Sequence, residues 1–105
     1  MTTDFAANGA SPLNMRGRVP QHVVYRDFVN ETVVLNLQTG TYHGLNPTAG
    51  RMLVAVENAR DLREAAAQVA SDYGWDLETV ERDLGELCQT LAASGLLELK
   101  PAESL

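Results

Sequence analysis

The stretch GTYHGLNPTAG, Gly40 to Gly50, decides how the rest of the chain is read. Its middle, Thr41 to Leu45, has the aromatic and alternating character of a short strand, and Gly40 before it can take the positive φ that a hairpin turn asks for. Its end changes period. Asn46 is a good helix N-cap, Pro47 suits the first helical position, and Ala49, Met52, Leu53 and Val56 recur at helical spacing. A strand therefore runs almost directly into a helix that ends by Asn58. The glycines also suggest a phosphate cradle, but a P-loop closes on Gly-Lys-Ser/Thr, whereas Gly50 is followed by Arg51 and Met52. Turn chemistry is the simpler account of Gly40.

Upstream, the signal stays strand-like from Gln21 onward. In TVVLNL, Val33, Leu35 and Leu37 share one face, as a half-buried strand with period two would have them. HVVYRDFV reads as the strand before it, turning through Asn30 and Glu31. Downstream, Asp61 caps a second helix, with Glu64 at the reciprocal capping-box position and Leu62, Ala66, Val69 and Tyr73 on one stripe, before Gly74 stops it. Asp76 caps a third, carrying Leu77, Val80, Leu84, Leu87 and Leu91 at spacings of three and four, and Gly95 ends that one. LLEL adds a short extended tail. The expected fold is α+β and winged-helix-like, a three-stranded antiparallel sheet followed by three helices. Residues 1–18 and 100–105 read as flexible tails around a domain of residues 19–99.

The composition narrows the function. The chain has 105 residues, eight Lys and Arg against 14 Asp and Glu, and a net charge of −6, a balance that works against phosphate backbones and anionic lipid. A winged helix that enters DNA does so on a basic helix. Here Arg82 is the one basic residue between Leu77 and Ser94, beside Glu78, Glu81, Asp83 and Glu86. Nucleic acid is not an expected partner. No apolar run reaches the roughly 18 residues of a membrane span, no signal peptide opens the chain, and one cysteine builds no disulfide framework, so a cytoplasmic protein is expected.

Catalytic and metal sites fare no better. Cys88 lies between Leu87 and Leu91 on a helix without a nearby histidine, where a cysteine serves as a small buried hydrophobe. His22 and His43 fall in different strands and make no metal spacing with each other or with Cys88. The carboxylates of the third helix form a solvated face, which does not separate pKa values as general acid and base require. Trp75 is expected to cap the core beside Tyr73. No cofactor and no enzymatic activity are expected.

The run from about Val24 to Leu99, above all VVLNLQTGTYHGLNPTAGRML and VERDLGELCQTLAASGLLEL, resembles the PqqD-like family of leader-binding domains in ribosomal peptide natural-product pathways. A Gly-x-Tyr-x-x-Leu-Asn strand entering a helix, together with an Arg-Asp-Leu…Leu…Leu…Gly-Leu-Leu end, carries the resemblance. Within the family the chain is more similar to the stand-alone recognition proteins of lasso peptide clusters than to the PQQ-pathway chaperone, which reads nearer to Pro-Glu-Arg where this chain has His-Gly-Leu-Asn-Pro. The resemblance implies a domain that adds the leader of a precursor peptide to its third strand and presents it to a leader peptidase and, through it, a cyclase. It implies a peptide site at Thr41, Tyr42, His43, Gly44 and Leu45, faced by Val80, Asp83, Leu84 and Leu87. The domain would be a monomer or a weak edge-strand dimer. A PQQ-type chaperone or a winged-helix-like adaptor binding another protein by the same edge are the alternatives.

Overall fold

A computed structural model of the chain describes residues 12–102. A 3-10 turn, Pro12–Asn14, leads into β1, Met15–Arg18; then come β2, Val23–Asp27, β3, Thr32–Asn36, and β4, Tyr42–Leu45. Three helices follow, α1, Pro47–Asn58, α2, Leu62–Tyr73, and α3, Leu77–Ala93, and β5, Glu98–Pro101, ends the fold. β2, β3 and β4 form an antiparallel sheet in that order, so the α+β, winged-helix-like arrangement of three strands followed by three helices is present.

The helix starts are set by the capping chemistry read in the sequence. Asn46 accepts the Ala49 N–H, Asp61 the Glu64 N–H and Asp76 the Thr79 N–H, each satisfying a donor that the first helical turn leaves unpaired. The Thr79 amide and hydroxyl hold the Asp76 carboxyl below its ordinary range. Glu64 reaches back one residue further than a capping box would, accepting the Arg60 N–H. Gly74 takes the left-handed conformation that ends α2. Along the helices, Leu53, Val56, Leu62, Val69, Val80, Leu84, Cys88 and Leu91 fill the core. Burying each of the larger apolar side chains is worth about 1.5–3 kcal/mol.

Four features depart from the sequence reading. First, Met15–Arg18, placed in the N-terminal tail, form a strand paired with Glu98–Pro101, which includes Lys100 and Pro101 of the expected C-terminal tail. This ribbon lies so close on α1 that a Cβ at Gly17 would collide with Val56. The rest of the expected tails, residues 1–11 and 103–105, lies outside the described residues.

Second, β3 is turned over. Thr32, Val34 and Asn36 face the core, and Val33 and Leu35 face outward, with Leu37 exposed beyond the strand end. Two polar residues go inside because each has local work. The Thr32 hydroxyl donates to Asp27 at 2.6 Å, and helix α1 approaches so closely at Gly50 that a Cβ there would strike Thr32. The Asn36 carboxamide accepts the Gln38 and Thr39 N–H groups and so builds the turn into β4.

Third, Tyr73 and Trp75 do not cap the core. Gly74 reverses the chain between them, their rings stack with centroids 4.6 Å apart, and each stays a little over two-fifths exposed, at 43% and 44%. Fourth, Leu77, counted on the apolar stripe of α3, is exposed.

Candidate peptide-binding edge

Among the described residues, β4 pairs with β3 on one side and has no strand on the other. The hydrogen-bond phase shows which groups its open side presents. The Asn36 N–H donates to the Thr41 carbonyl, so the next bonded pairs toward the helix are Val34 with His43 and Thr32 with Leu45. By the alternation of an antiparallel ladder, Tyr42 and Gly44 then turn their N–H and C=O groups away from β3, toward the open edge. Four main-chain groups are thus aligned for another strand.

The opposite edge, β2, is less available at its start, where the Val23 N–H donates to the Pro20 carbonyl. The β4 edge is also held rigidly. Gly40, at φ 78°, donates to the Asn36 carbonyl, and the Thr39 and Thr41 hydroxyls are 2.7 Å apart. At its far end β4 runs straight into the capped start of α1.

The side chains divide as the strand period requires. Tyr42, 72% exposed, and Gly44 lie on the outer face, His43 is half-buried on the inner face, and Leu45 is anchored in the core. Thr41 is exposed just before the strand. Gly44 has the Glu31 carboxylate over it, 2.7 Å from where a Cβ would sit, and Glu31 is an exposed side chain able to swing aside. Tyr42 sits across from Leu35, which sits across from Val24. The outer face therefore carries an apolar row over three strands where an open antiparallel sheet is ordinarily polar. The sequence reading missed this row because it assigned Val33 and Leu35 to the core.

On α3 the residues set against β4 separate. Val80 and Leu84 are 1% and 0% exposed and belong to the core, while Leu87 is half-buried and Asp83 is exposed, 3.7 Å from Arg82. The principal packing partners of β4 are β3 and α1. So Thr41, Tyr42, His43 and Gly44 gather at one surface, Leu87 and Asp83 reach the surface of α3, and Leu45, Val80 and Leu84 are core residues that no leader side chain can reach directly.

Cys88 lies in the core rather than at this edge. Burial pushes the Cys88 thiol from its ordinary value of 9.0 up to about 12, so it carries no thiolate at neutral pH. The sign of the linkage follows. The unfolded thiol ionises near 9 and the folded one near 12, so between those values the unfolded state has lost a proton that the folded state keeps, and stability falls as pH rises. Denaturant midpoints of the wild type should drop more steeply from pH 9 to pH 11 than those of Cys88→Ala; parallel curves would show that Cys88 is not the group responsible. Tyr25 is likewise raised, by burial and by the hydrogen bond it donates to Glu57. Among the described residues no group of His, Cys, Asp and Glu is arranged to hold a metal ion, and no helix is long and apolar enough to cross a membrane.

Comparison with known proteins gives the family and the fold. The model of the family described as coenzyme PQQ synthesis protein D (PqqD) matches residues 31–97. No curated protein matches the chain. Of solved structures, TbiB1 in complex with the TbiA(β) leader peptide is 36% identical, with a TM-score of 0.69 over 77% of this chain and 94% of that one. A lasso peptide synthetase B1 complexed with the leader peptide shares the fold, with a TM-score of 0.67 at 21% identity over 79% of this chain and 98% of that one. With β3, β4 and all three helices inside a matched region that spans more than half of its length, the chain belongs to the PqqD family.

Proposed function

We propose that this protein is a non-catalytic recognition protein for the leader of a ribosomally made precursor peptide in lasso peptide biosynthesis, and that it takes the leader as an added strand on β4. The observation that carries the reading is the open edge, with the main-chain groups of Tyr42 and Gly44 turned outward in a family whose relative TbiB1 is solved with a leader peptide. Main-chain hydrogen bonds would supply sequence-tolerant affinity, and alternate leader side chains would read Tyr42 on one face and His43, Asp83 and Leu87 on the other. An added strand would also widen the apolar outer row of Val24, Leu35 and Tyr42, giving a leader peptidase of the pathway a surface on which to receive the peptide. A cytoplasmic setting suits such a role.

The test uses the hydrogen-bond phase. Because the Gly44 N–H is not in the β3 ladder, Gly44→Pro should leave the sheet intact while removing an outward donor and obstructing a new strand. Titrating fluorescently labelled leader by anisotropy should show saturable binding to the wild type and a loss of about 10-fold or more in the variant, the effect of one or two net hydrogen bonds. Cleavage of the precursor by the pathway's peptidase should be accelerated by the wild type and not by Gly44→Pro. A folded wild type that does not bind leader at 100-fold above the expected micromolar range would overturn the proposal.

A further inference from the structure

The β1–β5 ribbon carries a concentration of positive charge that no fold requirement explains. Arg16 and Lys100 are directly opposite in the register, and Arg18 lies two residues along the same face, across from Glu98. All three are exposed, whereas Gly17, Met15 and Leu99 of the other face are buried or half-buried. Like charges directly across a ladder destabilise it. Together with Gly17, Val19, Glu57 and Pro101 they line a groove of about 490 Å³.

Neither of the two carboxylates nearby forms an ion pair with Arg16 or Arg18. Glu98 is 3.9 Å from Lys100, and Glu57 accepts the Tyr25 hydroxyl. Arg16 and Arg18 have no ion pair among the described residues. In a chain of net charge −6, an Arg16 opposed by Lys100 is a local conflict of the kind found where a fold serves a ligand, and Arg18 beside it, although across from Glu98, forms no ion pair among the described residues.

We infer that the groove along Arg16, Arg18 and Lys100 binds an extended acidic peptide segment with carboxylates at alternate positions. The spacing selects that ligand. Residues two apart in a strand are about 6.6–6.8 Å apart, so the carboxylates of an Asp/Glu-x-Asp/Glu segment match Arg16 and Arg18 one to one. Each pair can form the bidentate bonds that guanidinium and carboxylate geometry favours, with Lys100 adding a point charge across the ribbon. The site is separate from the β4 edge, so a partner with an acidic extension could be held while a leader is bound. The inference does not depend on leader recognition.

The experiment titrates a fluorescein-labelled Glu-Thr-Glu-Thr-Glu-Thr peptide into the full-length protein at low salt, with Gln-Thr-Gln-Thr-Gln-Thr as control. Saturable binding of the first peptide alone is expected, weakened about 10-fold or more in the Arg16→Gln, Arg18→Gln double variant and by added salt. Arg16→Glu places opposite charges across the ribbon and should abolish binding while leaving the thermal midpoint unchanged or higher. Gly44→Pro should bind the acidic peptide as the wild type does. Equal binding of both peptides, undiminished binding by the double variant, loss of binding in Gly44→Pro, or no binding to the wild type would each overturn the inference.

Discussion

Leu84→Asp should yield no folded domain, while Leu87→Asp, less than one helical turn away, should fold and bind leader more weakly. Leu84 is fully buried at the centre of α3, among Val80, Cys88 and Leu91. Replacing it removes about 2–5 kcal/mol of apolar burial and packing and adds a carboxylate without a partner, itself costing several kcal/mol unless it takes up a proton. A domain of this size has about 5–15 kcal/mol of stability in total, so the sum is enough to unfold it. Leu87 is half-buried, and its carboxylate replacement can reach water. Circular dichroism melts settle the first half: a cooperative transition in Leu84→Asp close to that of the wild type would show that α3 does not organise the core. Anisotropy settles the second, with a loss of about 10-fold expected for Leu87→Asp if one apolar leader contact is removed.

Gly50→Ala should lower the melting temperature by about 10 °C, a large change for a single methyl group on a helix, where alanine is ordinarily favoured over glycine. The new Cβ would meet the hydroxyl and Cβ of Thr32. Both partners are in rigid elements, so the clash must be relieved by lifting α1 from β3, and overpacking of this kind costs about 1–3 kcal/mol. Thr32→Ala removes the hydroxyl that is struck, along with its bond to Asp27. The two substitutions together should cost less than the sum of their separate costs by about 1 kcal/mol, a coupling readable in a double-mutant cycle of urea midpoints. Strict additivity would mean that α1 and β3 do not meet through these two residues. Because α1 starts directly after β4, the alanine variant should also bind leader less well, and the double variant should recover part of the loss.

The same pair shows where the sequence was legible and where it was not. Helix starts could be read from Asn46, Asp61 and Asp76 because a cap is a contact between residues three apart. The strand-to-helix passage at Leu45–Pro47 and the stops at Gly74 and Gly95 are equally local. The face of β3 was not legible. Apolar alternation favoured Val33, Leu35 and Leu37, and the opposite face won because of a distant glycine on α1 and a carboxamide recruited into a turn. The β1–β5 ribbon was hidden for a similar reason, since each strand has four residues and its partner lies at the other end of the chain. The candidate site was read in part. Thr41 to Gly44 could be placed on an edge because the strand has a turn before it and a helix after it. Val80 and Leu84 could not be told from Leu87, because helical periodicity marks an apolar stripe without saying which of its members reach water.

The ribbon also determines how the domain meets a mechanical load. Both of its strands leave the fold on the same side, where the Ala102 N–H donates to the Asn14 carbonyl and Met15 lies opposite Pro101. A pull on the two ends of the described chain would draw these strands apart like a zip, breaking one pair of bonds at a time from Met15 toward Arg18, a mode that needs far less force than shearing all of them at once. Once the Pro12–Asn14 turn is drawn off α2 and α3, the ribbon would yield, while β4 belongs to the other sheet. A tug from a tethered partner would thus be absorbed at the clasp before it reached the edge proposed to carry the peptide.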